Sequence, residues 1–230
     1  MNTCLVAQPG RVEYAAAYEL QKQLAQRVAD GELPGVLLLL EHPHVFTLGR
    51  RGRMTDILSP TERLRELGVT VHETDRGGEV TYHGPGQLVG YPIVDVRTHG
   101  GPVAFVHKIQ EALIAMLANF GITGEWEERP TGVWVGDAKI AAIGLHISRG
   151  ISTHGFALNV APDLSYFEHI VACGLPGSRT TSMEREAGIA DVAQVASVLT
   201  QRLADAFGWQ VQPVAVEELA IAPLPTSTKV

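Results

Sequence analysis

Cysteine is nearly missing from this chain. Its 230 residues carry two, Cys4 and Cys173, which excludes a disulfide framework and points to a reducing, cytoplasmic setting. Long apolar runs are missing too, since no stretch free of polar side chains approaches the ~20 residues of a membrane span. The first ten residues have no basic segment leading into an apolar block, so no secretory leader is expected. Positive charge is in deficit: 18 Lys and Arg stand against 25 Asp and Glu, for a net charge of −7. Nucleic-acid binding through a general positive field is thereby disfavoured. Neither GxGxxG nor GxxxxGK followed by Ser or Thr occurs, so nucleotide binding has no motif behind it. HExxH is absent as well, and His42-Pro43-His44 is the one close histidine pair, so no metal centre is expected.

What is present is an ordinary globular composition, 45% hydrophobic and 19% charged, able to bury a sizeable core in one domain. Helical spacing of apolar residues predicts helices over 12–30, 105–120 and 192–207, the last two closed by Gly121 and Gly208. A shorter helix follows Ser59-Pro60-Thr61-Glu62, with Ser59 as the expected N-cap, Pro60 as the first helical residue and Gly68 as the stop. Strands are expected over 36–40, 69–73, 80–83, 87–94 and 151–160. Gly136-Asp137 joins 133–135 to 138–147 as a two-residue hairpin. Nothing marks an element before residue 12, so Cys4 is expected near a mobile end. Hairpins interleaved with helices give an α+β class, a mixed sheet under helical cover. The domain is expected over 1–215, with 216–230 as a disordered tail.

Four segments concentrate chemistry. Arg76-Gly77-Gly78-Glu79-Val80-Thr81-Tyr82-His83-Gly84-Pro85-Gly86-Gln87 sets four glycines beside an arginine and a histidine. Glycines let a backbone come close to a ligand, though two plain turns around a strand read the same way. Lys139 interrupts an otherwise apolar strand, either as an edge residue whose ammonium reaches water or as a charge held in a cleft. His154 in Thr153-His154-Gly155 faces a similar choice between core and site. Cys173 lies in Ala172-Cys173-Gly174-Leu175-Pro176-Gly177, a loop composition that keeps a thiol accessible, unlike a core cysteine.

Taken in order, these segments resemble the lipoyl(octanoyl) transferases of lipoate biosynthesis. The match runs through Glu41-His42-Pro43, Thr47-Leu48-Gly49-Arg50, Arg76-Gly77-Gly78 and Tyr82-His83-Gly84-Pro85-Gly86-Gln87. It continues through Lys139-Ile140-Ala141 with Gly144, His154-Gly155 with Ala157-Leu158-Asn159, and Cys173-Gly174 with Thr181-Ser182. One departure stands out: Ala172 occupies the place where the family usually has proline.

The resemblance implies a fold similar to the catalytic domains of biotin and lipoate protein ligases, a mixed sheet with helices around a substrate tunnel. It implies transfer of an octanoyl group from acyl carrier protein to a lysine of lipoyl domains, on E2 subunits and glycine-cleavage H protein, by a cytoplasmic, monomeric acyltransferase without cofactor or metal. Cys173 is implied as the acyl-thioester nucleophile, and Lys139 as the group that lowers its pKa and serves as acid and base. Arg76, Gly77, Gly78, Glu79, Val80, Thr81, Tyr82 and His83 match substrate-binding segments, as do Ala142, Ile143, Gly144, Gly155, Phe156 and Ala157, with His154 in support. Backbone N–H groups around Gly144 or Gly155 are candidates for an oxyanion hole. Arg50, Arg51 and Arg53 with Arg76 form a candidate patch for an acidic carrier.

Overall fold

Strand-forming runs and amphipathic helices alternate through the computed structural model, which describes residues 2–126, 131–171 and 179–219. The chain opens with β1 (Asn2–Arg11), α1 (Tyr14–Ala29), β2 (Gly35–Glu41) and β3 (Val45–Leu48). Next come α2 (Thr61–Glu66), β4 (Thr70–Glu73), β5 (Val80–His83), β6 (Gln87–Ile93) and α3 (Gly101–Ala118). The hairpin β7 (Gly132–Val135) and β8 (Ala138–Ser148) leads to β9 (Ile151–Asn159), β10 (Arg179–Thr180) and α4 (Met183–Ala187). Then α5 (Val192–Phe207), β11 (Trp209–Pro213) and α6 (Val216–Leu219) complete the described chain.

The larger sheet runs β10-β8-β9-β6-β2-β1-β11, with β7 also paired to β8. It is mixed: β2, β6, β9, β8 and β7 pair antiparallel in succession, whereas β1 joins β2 and β11 in parallel. The smaller sheet runs β4-β3-β5. The run Val36-Leu37-Leu38-Leu39-Leu40 explains why the larger sheet sits between two apolar layers. Leu37 and Leu39 enter the core that includes Phe105 and Leu113 of α3 and Leu199 of α5. Val36, Leu38 and Leu40 enter the opposite core with Ala17, Leu20 and Leu24 of α1. A strand buried on both faces needs no polar alternation, and each fully buried leucine contributes roughly 1.5–3 kcal/mol relative to exposure.

The class expected from sequence, α+β with a mixed sheet, is the observed one, and the hairpin at Gly136-Asp137 falls where its turn residues put it. Three local expectations are corrected. Asn2–Arg11 is not a mobile end: β1 lies between β2 and β11, and Cys4 is fully buried. A β-bulge between Ala7 and Gly10 breaks its alternation, which is why the strand is hard to read. Ser59 does not cap α2. Pro60 occupies the N-cap without a side-chain bond, and the Ser59 hydroxyl instead lies 2.7 Å from His169 Nδ1. The tail does not begin at residue 216, because Val216–Leu219 is helical, Leu219 is buried and its carbonyl accepts from Arg27 Nη1 at 2.8 Å. Residues 220–230 lie outside the described residues. Among the described residues no helix is long and apolar enough to cross a membrane.

Candidate active site

A cavity of about 430 Å³ lies between the 76–83 segment and the paired strands β8 and β9, within the ~300–1,000 Å³ usual for small-ligand sites. Arg76, Gly77, Gly78, Glu79, Val80, Thr81 and His83 line it from one side. Lys139, Ala142, Ile143, Gly144, His154, Gly155, Phe156 and Ala157 line it from the other. Tyr82 is the exception among the expected residues. Its neighbours Thr81 and His83 face the cavity, while Tyr82 belongs to the core of the smaller sheet, stacked on Tyr166 at 4.9 Å with its hydroxyl 2.8 Å from His44 Nδ1. Cys173 and Ala172 lie outside the described residues.

The walls differ in chemistry. Val89, Val106, Ile143, Leu145 and Phe156 make an apolar side. Arg76, Lys139, His83 and His154 are buried polar groups on the remainder. Such a space fits an apolar chain with a reactive polar head.

Arg76 is 8% exposed, and its guanidinium donates to Thr47 Oγ1 (3.1 Å from Nε, 2.8 Å from Nη2) and to the Gly77 carbonyl (3.0 Å). It therefore sits in the cavity wall rather than on the surface patch with Arg50, Arg51 and Arg53, all three of which are exposed. His83 lies between Gln87 Oε1 (2.8 Å) and Thr47 Oγ1 (3.4 Å). Burial, with Arg76 and His42 nearby, drives its pKa well below the ordinary histidine value, so the ring is neutral. Gln87 Nε2 donates to Asn159 Oδ1 at 2.9 Å, Asn159 Nδ2 to the Thr181 carbonyl at 3.0 Å, and Thr181 N to the Lys139 carbonyl at 3.0 Å. This chain of bonds ties His83 to the residues just after 172–178 and to the backbone of Lys139.

Lys139 is buried, so it is not a solvated edge residue. Its ammonium donates to the Thr131 carbonyl at 3.2 Å and stands 4.9 Å from the Trp134 ring centroid. Thr180 of β10 pairs with Lys139, and Val171 N donates to the Asp56 carbonyl at 2.8 Å.

His154 is held from three directions. Its Nε2 lies 2.7 Å from Asp75 Oδ1, its N–H donates to Gln21 Oε1 at 2.7 Å, and its ring stacks on Tyr18 at 5.2 Å. Its φ is +55°, the left-handed region, inside a β-strand. That conformation costs a non-glycine residue about 1–2 kcal/mol, which the three restraints offset. Burial lowers its pKa, opposed by the bond to Asp75. Sequence reasoning missed Asp75, Tyr18 and Tyr14. Asp75 had one available signal, its place directly before Arg76-Gly77-Gly78.

Gly144 and Gly155 pair across β8 and β9. The Leu145 carbonyl turns away from β9 to accept from Gly77 N at 2.9 Å, and His154 N turns away from β8 to Gln21. Antiparallel alternation then points Gly144 and Gly155 at each other, so their N–H groups serve the ladder and not an oxyanion hole. Both glycines are required by close approach. A Cβ on Gly155 would stand 2.0 Å from the Gly90 carbonyl oxygen, and one on Gly144 2.9 Å from that of Gly77. Gly155→Ala is expected to cost about 1–3 kcal/mol of stability, measured as a lower urea midpoint; an unchanged midpoint would show that β6 and β9 part there freely.

Comparison with known proteins fits this geometry. Residues 13–204 match the family described as the lipoyl protein ligase A/B catalytic domain. An octanoyltransferase of Solibacter usitatus is 47% identical, over 93% of this chain and 97% of that protein. In fold, the chain is similar to a bipartite lipoate protein ligase of Thermoplasma acidophilum, with a TM-score of 0.70 at 14% identity, covering 95% of this chain and 89% of that one. It is also similar to the biotin protein ligase of Aquifex aeolicus, with a TM-score of 0.55 at 12% identity, covering 90% and 71%.

Proposed function

The chain belongs to the octanoyltransferases of the lipoyl protein ligase A/B catalytic family, and from that premise we propose that it moves an octanoyl group from acyl carrier protein to a lysine of lipoyl domains. The observation that carries the reading is the cavity itself: an apolar wall for the chain, and Lys139, Arg76, His83 and His154 gathered around its head.

Cys173 is the acyl carrier within the enzyme. A free thiol titrates near 8.5 and is only a few per cent thiolate at pH 7, and a nearby ammonium favours the charged form by about 1.36 kcal/mol for each pKa unit. Lys139 is that ammonium. The Cys173 thiolate attacks the donor thioester carbon, a new C–S bond forms, and the carrier's sulfur leaves with the Lys139 proton. The acceptor amine then attacks the Cys173 thioester, the C–S bond breaks and an amide remains. One thioester replaces another and the final amide is more stable than either, so no ATP is required. Incubation with octanoyl-carrier protein and a lipoyl domain tests the reading: the domain should gain one octanoyl group on one lysine, and failure to gain it overturns the reading.

The donor is acidic, and Arg50, Arg51 and Arg53 place exposed positive charge beside the cavity, which Arg51 itself lines. Arg51 is paired with Glu79 at 2.8 Å. Changing all three to Gln is expected to slow acylation by the carrier protein mainly at low salt, where the screening length exceeds ~10 Å. A small octanoyl thioester should react almost as before. Equal losses with both donors would make these arginines structural.

A further inference from the structure

Proton counting shows that Cys173 and Lys139 do not suffice for the second half-reaction. The acceptor lysine arrives as an ammonium and must lose two protons to become an amide nitrogen. After acylation Lys139 is a neutral amine and takes back one of them, which restores the thiolate–ammonium pair. The other proton needs a second base with a route to water.

We infer that His154, oriented by Asp75, is the base that deprotonates the incoming acceptor lysine. This rests on the proposed transfer reaction. His154 lines the cavity, and its Nε2 lies 2.7 Å from Asp75 Oδ1. A carboxylate accepts from Nε2–H, so the proton of the neutral ring is fixed on Nε2 and Nδ1 keeps its lone pair for an incoming group. The ring cannot drift, since Gln21 holds its backbone N–H and Tyr18 both stacks on it and donates to Asp75 Oδ1 at 2.8 Å. The +55° φ at His154 places a strained residue on the cavity wall, where function commonly accounts for strain.

The same carboxylate keeps one edge of the pair open to solvent, so its charge is available to the imidazolium. His154 is 2% exposed, whereas the Asp75 side chain is 43% exposed, and its other oxygen lies 3.6 Å from His146 Nε2, on a half-buried side chain. The step balances as follows. Nδ1 takes one proton from the acceptor ammonium, and the resulting amine adds to the thioester carbon. Lys139 takes the second proton from the nitrogen of that adduct, and the C–S bond breaks to release the Cys173 thiolate. The His154 imidazolium, stabilised by Asp75, gives the Nδ1 proton to water entering the cavity once the product leaves, which restores the Nε2–H tautomer.

The charged and titratable groups around His154 are Asp75 and Arg76 from the connection between β4 and β5, Tyr18 from α1, His146 from β8, His83 from β5 and Tyr91 from β6. Among the described residues, His154 is the histidine that combines a place in the cavity with a carboxylate partner open to solvent.

Two variants test the assignment. His154→Asn removes the base while keeping a residue that tolerates positive φ. Asp75→Asn leaves the histidine in place and removes the acceptor that fixes its tautomer. In both variants any loss in single-turnover acylation of Cys173 should be at least about tenfold smaller than the loss in transfer. Transfer to a lipoyl domain should slow about 100-fold or more, the usual contribution of a general base. The loss should shrink about tenfold per pH unit from pH 7 to 9, because a lysine of pKa near 10.4 increasingly sheds its own proton. Equal slowing of both half-reactions, or a transfer defect unchanged at pH 9, overturns the role of His154. Absence of any acyl-enzyme in the unmodified protein overturns the transfer reading beneath it, a separate outcome.

Discussion

Cys173→Ala is expected to abolish the acyl-enzyme and all transfer, while Cys4→Ala leaves both intact. The contrast follows from burial. Cys4 is fully enclosed in the core beneath α3 and α5, and desolvation pushes its thiol up to about 12, so at neutral pH it is protonated and unreactive. Incubation with octanoyl-carrier protein and no acceptor should therefore add a single octanoyl group, labile to hydroxylamine and visible by intact mass. An adduct that survives in the Cys173 variant would falsify the covalent mechanism.

Lys139→Met carries the second-largest expected effect. It keeps much of the side-chain volume but removes both the charge beside the thiol and the carrier of its proton. Acylation and transfer should each fall by about 10²-fold or more. Lys139→Arg separates the two roles, because a guanidinium of pKa above 12 holds its charge and does not give up its proton. The Arg variant should still form acyl-enzyme, with some loss from its bulkier planar head, and should stall at transfer. Wild-type transfer rates in the Arg variant would remove the shuttle, and unimpaired half-reactions in the Met variant would remove both roles. The buried setting of Lys139, with its ammonium on the Thr131 carbonyl and over Trp134, explains why a change of shape alone matters here.

Legibility in the sequence tracked the physics of each element. The run at 36–40 announced a strand because burial on both faces leaves no polar position. Gly136-Asp137 announced its hairpin because the turn needs those residues, and Gly208, expected as the stop, is the C-cap of α5. β1 was hidden by its bulge, and β3 (Val-Phe-Thr-Leu) is too short to show a period. At the site, the glycine segments were readable because close backbone approach admits little else. Tyr82 was misplaced because a motif is linear while a strand alternates: adjacent residues of β5 serve different cores. Asp75 and Tyr18 were unreadable, since their meeting at His154 joins α1, a loop and β9, and no local pattern encodes it.

The pairing of β1 with β11 has a consequence for how the chain is made. Asn2 through Val6 find their partners in Trp209 through Pro213, about 200 residues later. Until the ribosome has released β11, one edge of an early, apolar strand has nothing to bond. Parallel contacts this distant in sequence close slowly and leave intermediates with unpaired edges. A chain cut ahead of Trp209 would keep that edge for good, and an open apolar edge is a template for aggregation. Synthesis of this protein is thus exposed to premature termination near its end as much as near its beginning.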